Sequence, residues 1–276
     1  MNAQQDTIDW HAVSLPGIDD STVAIVLGAG GAIGGATARA LAAMGAKVAI
    51  VTRDTERSTQ IAKSIGASQP PLLPAVADMS EPGSLQQLAD QVTGRLGAPT
   101  VLVNAAAIGA PRRDVTKVSR DEVSKILDVN VVGAYEAIKA VAPAMRAAGY
   151  GRIVNTASVA AIRSTHGGVA YGVSKTAVIG LTEQMAVELA ANGITVNCVS
   201  PGQTPTKLRS VDEAAGAPQE TAPGSNNSSA IPLGRRGRLD DYVGAILFLS
   251  SALAGYITGM DIQVEGGVRL VRPKSF

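Results

Sequence analysis

"VAIVLGAGGAIGGATARALAAMG", residues 23–45, decides the fold. It reads as a short apolar strand, a glycine turn and an Ala-rich helix, with a second apolar run, "KVAIVT", at 47–52. Gly28, Gly30 and Gly34 fall in a G-x-G-x-x-x-G pattern, with Gly31 and Ile33 inside the same turn. Glycines let the backbone turn sharply and come close to a pyrophosphate, and the following helix then points its N-terminus at the anion. Strand, glycine turn, helix and strand in this order predict a dinucleotide-binding unit.

The same alternation continues outward. Apolar runs at 73–78, 100–104, 152–158, 194–200 and 261–265 are separated by helical patterns around 55–65, 81–95, 119–147, 171–191 and 239–250. The runs are nearly continuous in apolar residues, as expected for strands buried on both faces. The prediction is an α/β protein: a single-domain, Rossmann-type, doubly wound parallel sheet flanked by helices. Its catalytic domain spans 21–267, with ligands bound along the rim of strand C-termini. Residues 1–20 read as a disordered extension and 268–276 as a tail. Within a substrate loop at 203–233, the stretch 207–233 is rich in Ala, Pro, Gly, Ser and Asn and reads as a lid or as disordered.

Composition narrows the function. Of 276 residues, 46% are hydrophobic and 17% charged, enough for a large core. The net charge of +1 gives no basic footprint for nucleic acid. One cysteine, Cys198, sits in the apolar run "ITVNCVS" and reads as buried filler. With two histidines besides, a metal site is not expected. The N-terminal stretch has neither the basic start nor the apolar core of a signal peptide, and no stretch reads as a membrane span. A cytoplasmic protein without a membrane partner is expected.

The end of the second strand chooses between dinucleotides. NAD sites tend to carry an acid there to bond the ribose 2′-hydroxyl. Here Thr52 holds that place and Arg53 follows, which suits a 2′-phosphate. Asp54 reads as the N-cap of the next helix. NADP(H) is therefore the preferred cofactor, with NAD(H) the alternative.

Further along, Tyr171 precedes Lys175 by four places and follows Ser158 by 13. Residues four apart share a helix face. A free phenol titrates near 10, and bringing it to about 7 needs about 4 kcal/mol. One positive charge at about 4 Å with an effective dielectric of about 20 supplies that much. The sequence thus predicts that Lys175 lowers the Tyr171 pKa.

Together with "GAGGAIG", "VADMS", "LVNAAA", "LDVNVVGAY", "IVNTASVAA", "SPGQTPT" and "YITGMDIQVEGG", this ordered set resembles the short-chain dehydrogenase/reductase family, including its 3-oxoacyl-acyl-carrier-protein reductases, from about 20 to 267. The resemblance implies hydride transfer between a nicotinamide cofactor and a ketone or secondary alcohol. It implies a catalytic tetrad of Asn130, Ser158, Tyr171 and Lys175. Asp78, beside Met79, is then set on the adenine. Asn104, Ala105, Tyr171 and Lys175 also become cofactor contacts. Pro201, Gly202, Thr204 and Thr206 reach the nicotinamide side. A homotetramer or homodimer through the long helices is implied as well.

The chain departs from the family pattern in places. Leu27 and Ala32 replace usual motif residues, and Ala107 stands for a common glycine, adding a methyl near the cofactor. Arginines that serve carrier-bound substrates correspond to Gly149 and Asn192, although Arg146 and Arg152 lie nearby. A small free ketone or alcohol is favoured over a 3-oxoacyl thioester. Arg163 and His166 are the substrate-side candidates. A dinucleotide-sensing protein on the same fold is the rival reading.

Overall fold

A computed structural model describes residues 8–66, 70–110, 114–163, 168–204 and 228–271. Seven parallel strands form one sheet in the order β3-β2-β1-β4-β5-β6-β7. They are β1 (Val23–Leu27), β2 (Lys47–Thr52), β3 (Leu72–Val76), β4 (Val101–Asn104), β5 (Gly151–Thr156), β6 (Ile194–Pro201) and β7 (Asp261–Val264). Helices α1 (Ala32–Ala43), α2 (Thr55–Ile65) and α7 (Leu239–Ser250) belong to one layer. Helices α3 (Ser84–Leu96), α5 (Gly133–Ala148) and α6 (Val169–Ala190) belong to the other, and α4 (Arg120–Leu127) packs against α6.

The strand side chains divide with period two. Ile25, Leu27, Ala49, Val51 and Leu102 join the core under α3 and α5, whereas Ala24, Val26, Val48, Ile50 and Val101 join the core under α1 and α7. Burial on both faces is why these segments read as unbroken apolar runs rather than alternating ones. The order reverses between β1 and β4, so the crevice beyond Leu27 and Asn104 is the switch point where such sheets bind ligands.

Two expectations are corrected. The helical pattern over 119–147 is not one helix: α4 and α5 are joined by a π-helical turn, Asp128–Val132. Its cause lies in Asn130, whose side chain bonds three groups outside the helix, as described below.

Residues 8–20, read as part of a disordered extension, fold onto their own chain. Asp9 caps a 3-10 turn at Trp10–Ala12, and Trp10 and Leu15 pack on the α1–α7 core. Ile8 N and Trp10 Nε1 donate to the Asp240 carboxylate at 3.0 and 3.3 Å, and Ala252 N donates to Pro16 O. At the other end, Val268 is buried with Val159 and Ile231. No helix among the described residues is long and apolar enough to cross a membrane.

Candidate active site

The glycine turn is shaped by close approach. Gly28 has φ +73°, and a Cβ there would lie 2.6 Å from Ala106 N. A Cβ on Gly34 would lie 2.5 Å from Gly28 O. Gly31 N bonds Gly28 O at 2.9 Å, and Gly31 is the N-cap of α1, so the helix starts at the cleft. Ile33 packs back on the core. The cleft has a volume of about 870 Å³ and is lined by Gly28, Gly30, Gly31, Asp78 and the run Ala105–Ile108, which includes Ala107. Asn104, at the end of β4, has a buried Oδ1 without a hydrogen-bond partner. A cradle closed to side chains, a cleft of ligand size and an unpartnered buried acceptor together fit a dinucleotide.

One rim of the cleft carries cations. Thr52 is buried and folds its hydroxyl onto its own turn: Oγ1 donates to Asp54 O and accepts from Asp54 N at 3.0 Å. Asp54 caps α2 by accepting from Arg57 N at 2.7 Å, as its position predicts. Arg53 and Arg57 both stand exposed on this rim. Sequence reasoning missed Arg57; its signal was its place one turn into α2, beside Gly30. Across the cleft, burial works to raise the Asp78 carboxyl. Hydrogen bonds from Ser80 through side chain and backbone, with Arg53 and Lys125 nearby, outweigh it and hold the group below 3.8. Met79 packs against Gly133, where a Cβ would lie 2.7 Å from it.

Ser158, Tyr171, Lys175 and Asn130 converge beyond β5. Ser158 has extended backbone and caps a 3-10 turn, its Oγ accepting from Ala160 N at 3.1 Å. The Tyr171 phenol shares a hydrogen bond with the Ser158 hydroxyl. Lys175 is 2% exposed, donates to Thr156 O at 2.7 Å, and places Nζ 5.8 Å from the Tyr171 ring centre. The Asn130 amide accepts from Ile108 N and donates to Ile108 O and to Ser174 Oγ, each at 2.9 Å. Ser174 Oγ in turn donates to Tyr171 O. A buried amide that ties the post-β4 loop to α6 outweighs regular helix at this point. Ser174 was not singled out from the sequence; a small hydroxyl residue three places past the tyrosine was the only sign.

Electrostatics overturn one expectation. Burial pushes the Tyr171 phenol above 10, and the Ser158 hydrogen bond only partly opposes it. Burial lowers the Lys175 ammonium from 10.5 to about 8, with Cys198 working the other way. The lysine is not among the influences on the phenol, which are burial and Ser158. It spends its shortest hydrogen bond on a backbone carbonyl, and desolvation of the phenolate outweighs what remains. The resting site therefore holds a protonated phenol. Cys198 is fully buried beside Asp261, and burial and that carboxylate push its thiol far up, as fits filler.

Pro201 closes β6 and Gly202 N bonds Val264 O at 2.9 Å, so Thr204 follows directly on the C-terminal end of that strand. Thr206 and His166 lie outside the described residues. Arg163 follows the Ser158 turn, its backbone N bonded to Val159 O, and its Nη1 is buried without a partner. Arg146 is held by Asn192 Oδ1 and Glu188 Oε1, and Arg152 is buried under Tyr150 at the opposite, N-terminal end of β5.

A family described as "Enoyl-(Acyl carrier protein) reductase" matches residues 28–269. The chain is 33% identical to 3-oxoacyl-acyl-carrier-protein reductase FabG of Escherichia coli over 258 residues, 91% of this chain and 99% of that one. It is 33% identical to D-threitol dehydrogenase of Mycolicibacterium smegmatis, over 90% of this chain and 93% of the relative. Among solved structures, a short-chain type dehydrogenase/reductase from Mycobacterium marinum superposes with a TM-score of 0.81 at 35% identity, covering 91% and 97% of the two chains. Levodione reductase superposes with 0.82 at 28% identity, covering 91% and 99%.

Proposed function

The chain belongs to the short-chain dehydrogenase/reductase family of nicotinamide-dependent oxidoreductases acting on CH–OH and C=O groups, and we propose that this member reduces a small free ketone with NADPH through Asn130, Ser158, Tyr171 and Lys175. The observation that carries the reading is the meeting of the Ser158 hydroxyl, the Tyr171 phenol and the Lys175 ammonium beyond β5, with the phenol protonated and able to serve carbonyl reduction. A protonated phenol is a general acid.

NADPH, when bound, supplies the hydride. Gly28, Gly30, Gly31 and Gly34 cradle its pyrophosphate. Arg53, joined by Arg57, meets the 2′-phosphate, and Asp78 with Met79 faces the adenine. Asn104 Oδ1 finds a partner on the ribose side, next to Ala105. Pro201, Gly202, Thr204 and Thr206 border the nicotinamide. Ser158 holds the substrate oxygen by hydrogen bonding, and Tyr171 Oη passes its proton to that oxygen as charge develops there. Lys175 stabilises the resulting phenolate through its ammonium. The Asn130 side chain is committed to Ile108 and Ser174, so any part it takes in proton supply runs through its backbone and a water.

On the substrate side, Arg163 supports a substrate with an acceptor or anionic group beyond the reacting carbon; His166 is a second candidate. Arg146 is paired with Glu188 and Arg152 buried, which speaks against a carrier-bound thioester. The chain works as a homotetramer or homodimer in this reading. Helix α6 buries Ala170, Lys175, Val178 and Leu189 on one face yet exposes Val169, Val173 and Val187 on the other. Exposed apolar side chains on the outer face of a helix fit a partner surface. NADPH and NADH consumption across ketones, keto acids, diketones and acyl thioesters tests the reading. Turnover of free ketones with NADPH supports it, and turnover confined to thioesters or to NADH overturns the substrate or cofactor assignment.

A further inference from the structure

Tyr242 has no part in the chemistry above, yet among the described residues it is the bulkiest fully buried side chain. It stands in the first turn of α7. Its hydroxyl donates to Gln203 O at 3.2 Å, and Gly237 N donates to the same oxygen at 3.1 Å. Gly237 is glycine for a reason the geometry states: a Cβ there would land on the Tyr242 hydroxyl. Burial, with Asp241 alongside, raises the phenol to about 12, so it stays a donor at any working pH.

The neighbours of this contact are fixed as well. Arg235 grips Asp241 through two hydrogen bonds, and Arg238 N donates to Asp241 Oδ2 at 2.7 Å, holding 235–241 in one shape. On the other side, Gly202 is pinned to β7, where a Cβ would lie 2.7 Å from Glu265 Cα. Gln203 follows β6 and Gly237 precedes α7. One carbonyl, held by two donors, ties the end of β6 to the start of α7. The residue after Gln203 is Thr204, at the nicotinamide rim.

We infer that Tyr242 is a positioning residue: with Gly237 it clamps the Gln203 carbonyl and so sets the turn that receives the nicotinamide half of the cofactor. The inference rests on the nicotinamide placement proposed above. The clamp is remote from Arg53 and Asp78, so it acts on one half of the dinucleotide only. A buried hydrogen bond of this kind changes an equilibrium by about three- to tenfold.

The test compares wild type with Tyr242→Phe, which keeps the ring and removes the hydroxyl. Affinity is measured for NADPH and for adenosine 2′,5′-bisphosphate, a probe of the adenosine half alone. Tyr242→Phe is expected to bind NADPH about three- to tenfold more weakly and the bisphosphate within twofold of wild type. Gly237→Ala, which drives the ring away, is expected to show the same split, larger. General loosening of the fold would weaken both ligands together, and that result overturns the inference, as does unchanged NADPH affinity. If wild type itself binds NADPH no better than the bisphosphate, the nicotinamide placement fails instead.

Discussion

Lys175 carries the sharpest quantitative consequence of the structure. Its ammonium is buried, and its pKa falls from 10.5 in the unfolded chain to about 8 in the folded one. The gap corresponds to about 3 kcal/mol. The sign follows from proton counting. Between about pH 8 and 10.5 the unfolded chain holds a proton that the folded one has lost, so stability rises with pH across that window. Below about pH 8 both states are protonated and the full cost of burying the charge is present. Lys175→Met has no such dependence. At pH 7 the two proteins are expected to be close in stability, because the variant sheds the buried charge but leaves Thr156 O unpaired, at about 1–3 kcal/mol. The pH dependence of their difference cancels that constant. We predict that the difference moves in favour of the lysine protein by about 2–3 kcal/mol between pH 7 and 10. Both proteins are made in a Tyr171→Phe background, so that the phenol does not titrate in the same range. Urea unfolding of the cofactor-free proteins, followed by fluorescence of the single tryptophan Trp10, gives the numbers. A difference that stays flat from pH 7 to 10 would refute the reasoning: the ammonium would then be solvated.

Three other outcomes are expected. Arg53→Ala combined with Arg57→Ala weakens NADPH at least tenfold more than NADH in parallel fluorescence titrations; equal effects would place the 2′-phosphate elsewhere. Gly28→Ala, forced into φ +73° and against Ala106 N, loses at least about 2 kcal/mol of stability or cofactor binding altogether, and a variant that melts and binds like wild type contradicts the tight turn. Asp240→Asn weakens the two donors Ile8 N and Trp10 Nε1, so it costs about 1 kcal/mol or more and shifts Trp10 emission to the red, whereas an unchanged spectrum would mean the N-terminal segment docks without that carboxylate.

Much of this was legible in the sequence because the signals were local. β1 and β2 fall on the runs that announced them, since strands buried on both faces are mostly apolar. Asp54 could be read as a cap because capping depends on three neighbouring residues. The break at Asp128–Val132 was not legible. Its cause is the bonding of Asn130 to Ile108 and Ser174, 22 and 44 positions away, and periodicity carries no record of such partners. The docking of Trp10 on α7 is hidden for the same reason, its acceptor lying 230 positions along the chain. At the site, the residue types were readable but the balance was not. Spacing brings Lys175 to Tyr171, while the depth of burial that raises the phenol depends on the whole fold.

The central claim is that Tyr171 donates the proton. It is tested most directly by measuring NADPH affinity and carbonyl turnover side by side in wild type and Tyr171→Phe. The account predicts affinity within about threefold and turnover lower by about a thousandfold or more, the scale of a lost general acid. Turnover that survives the loss of the hydroxyl, with binding intact, would contradict it.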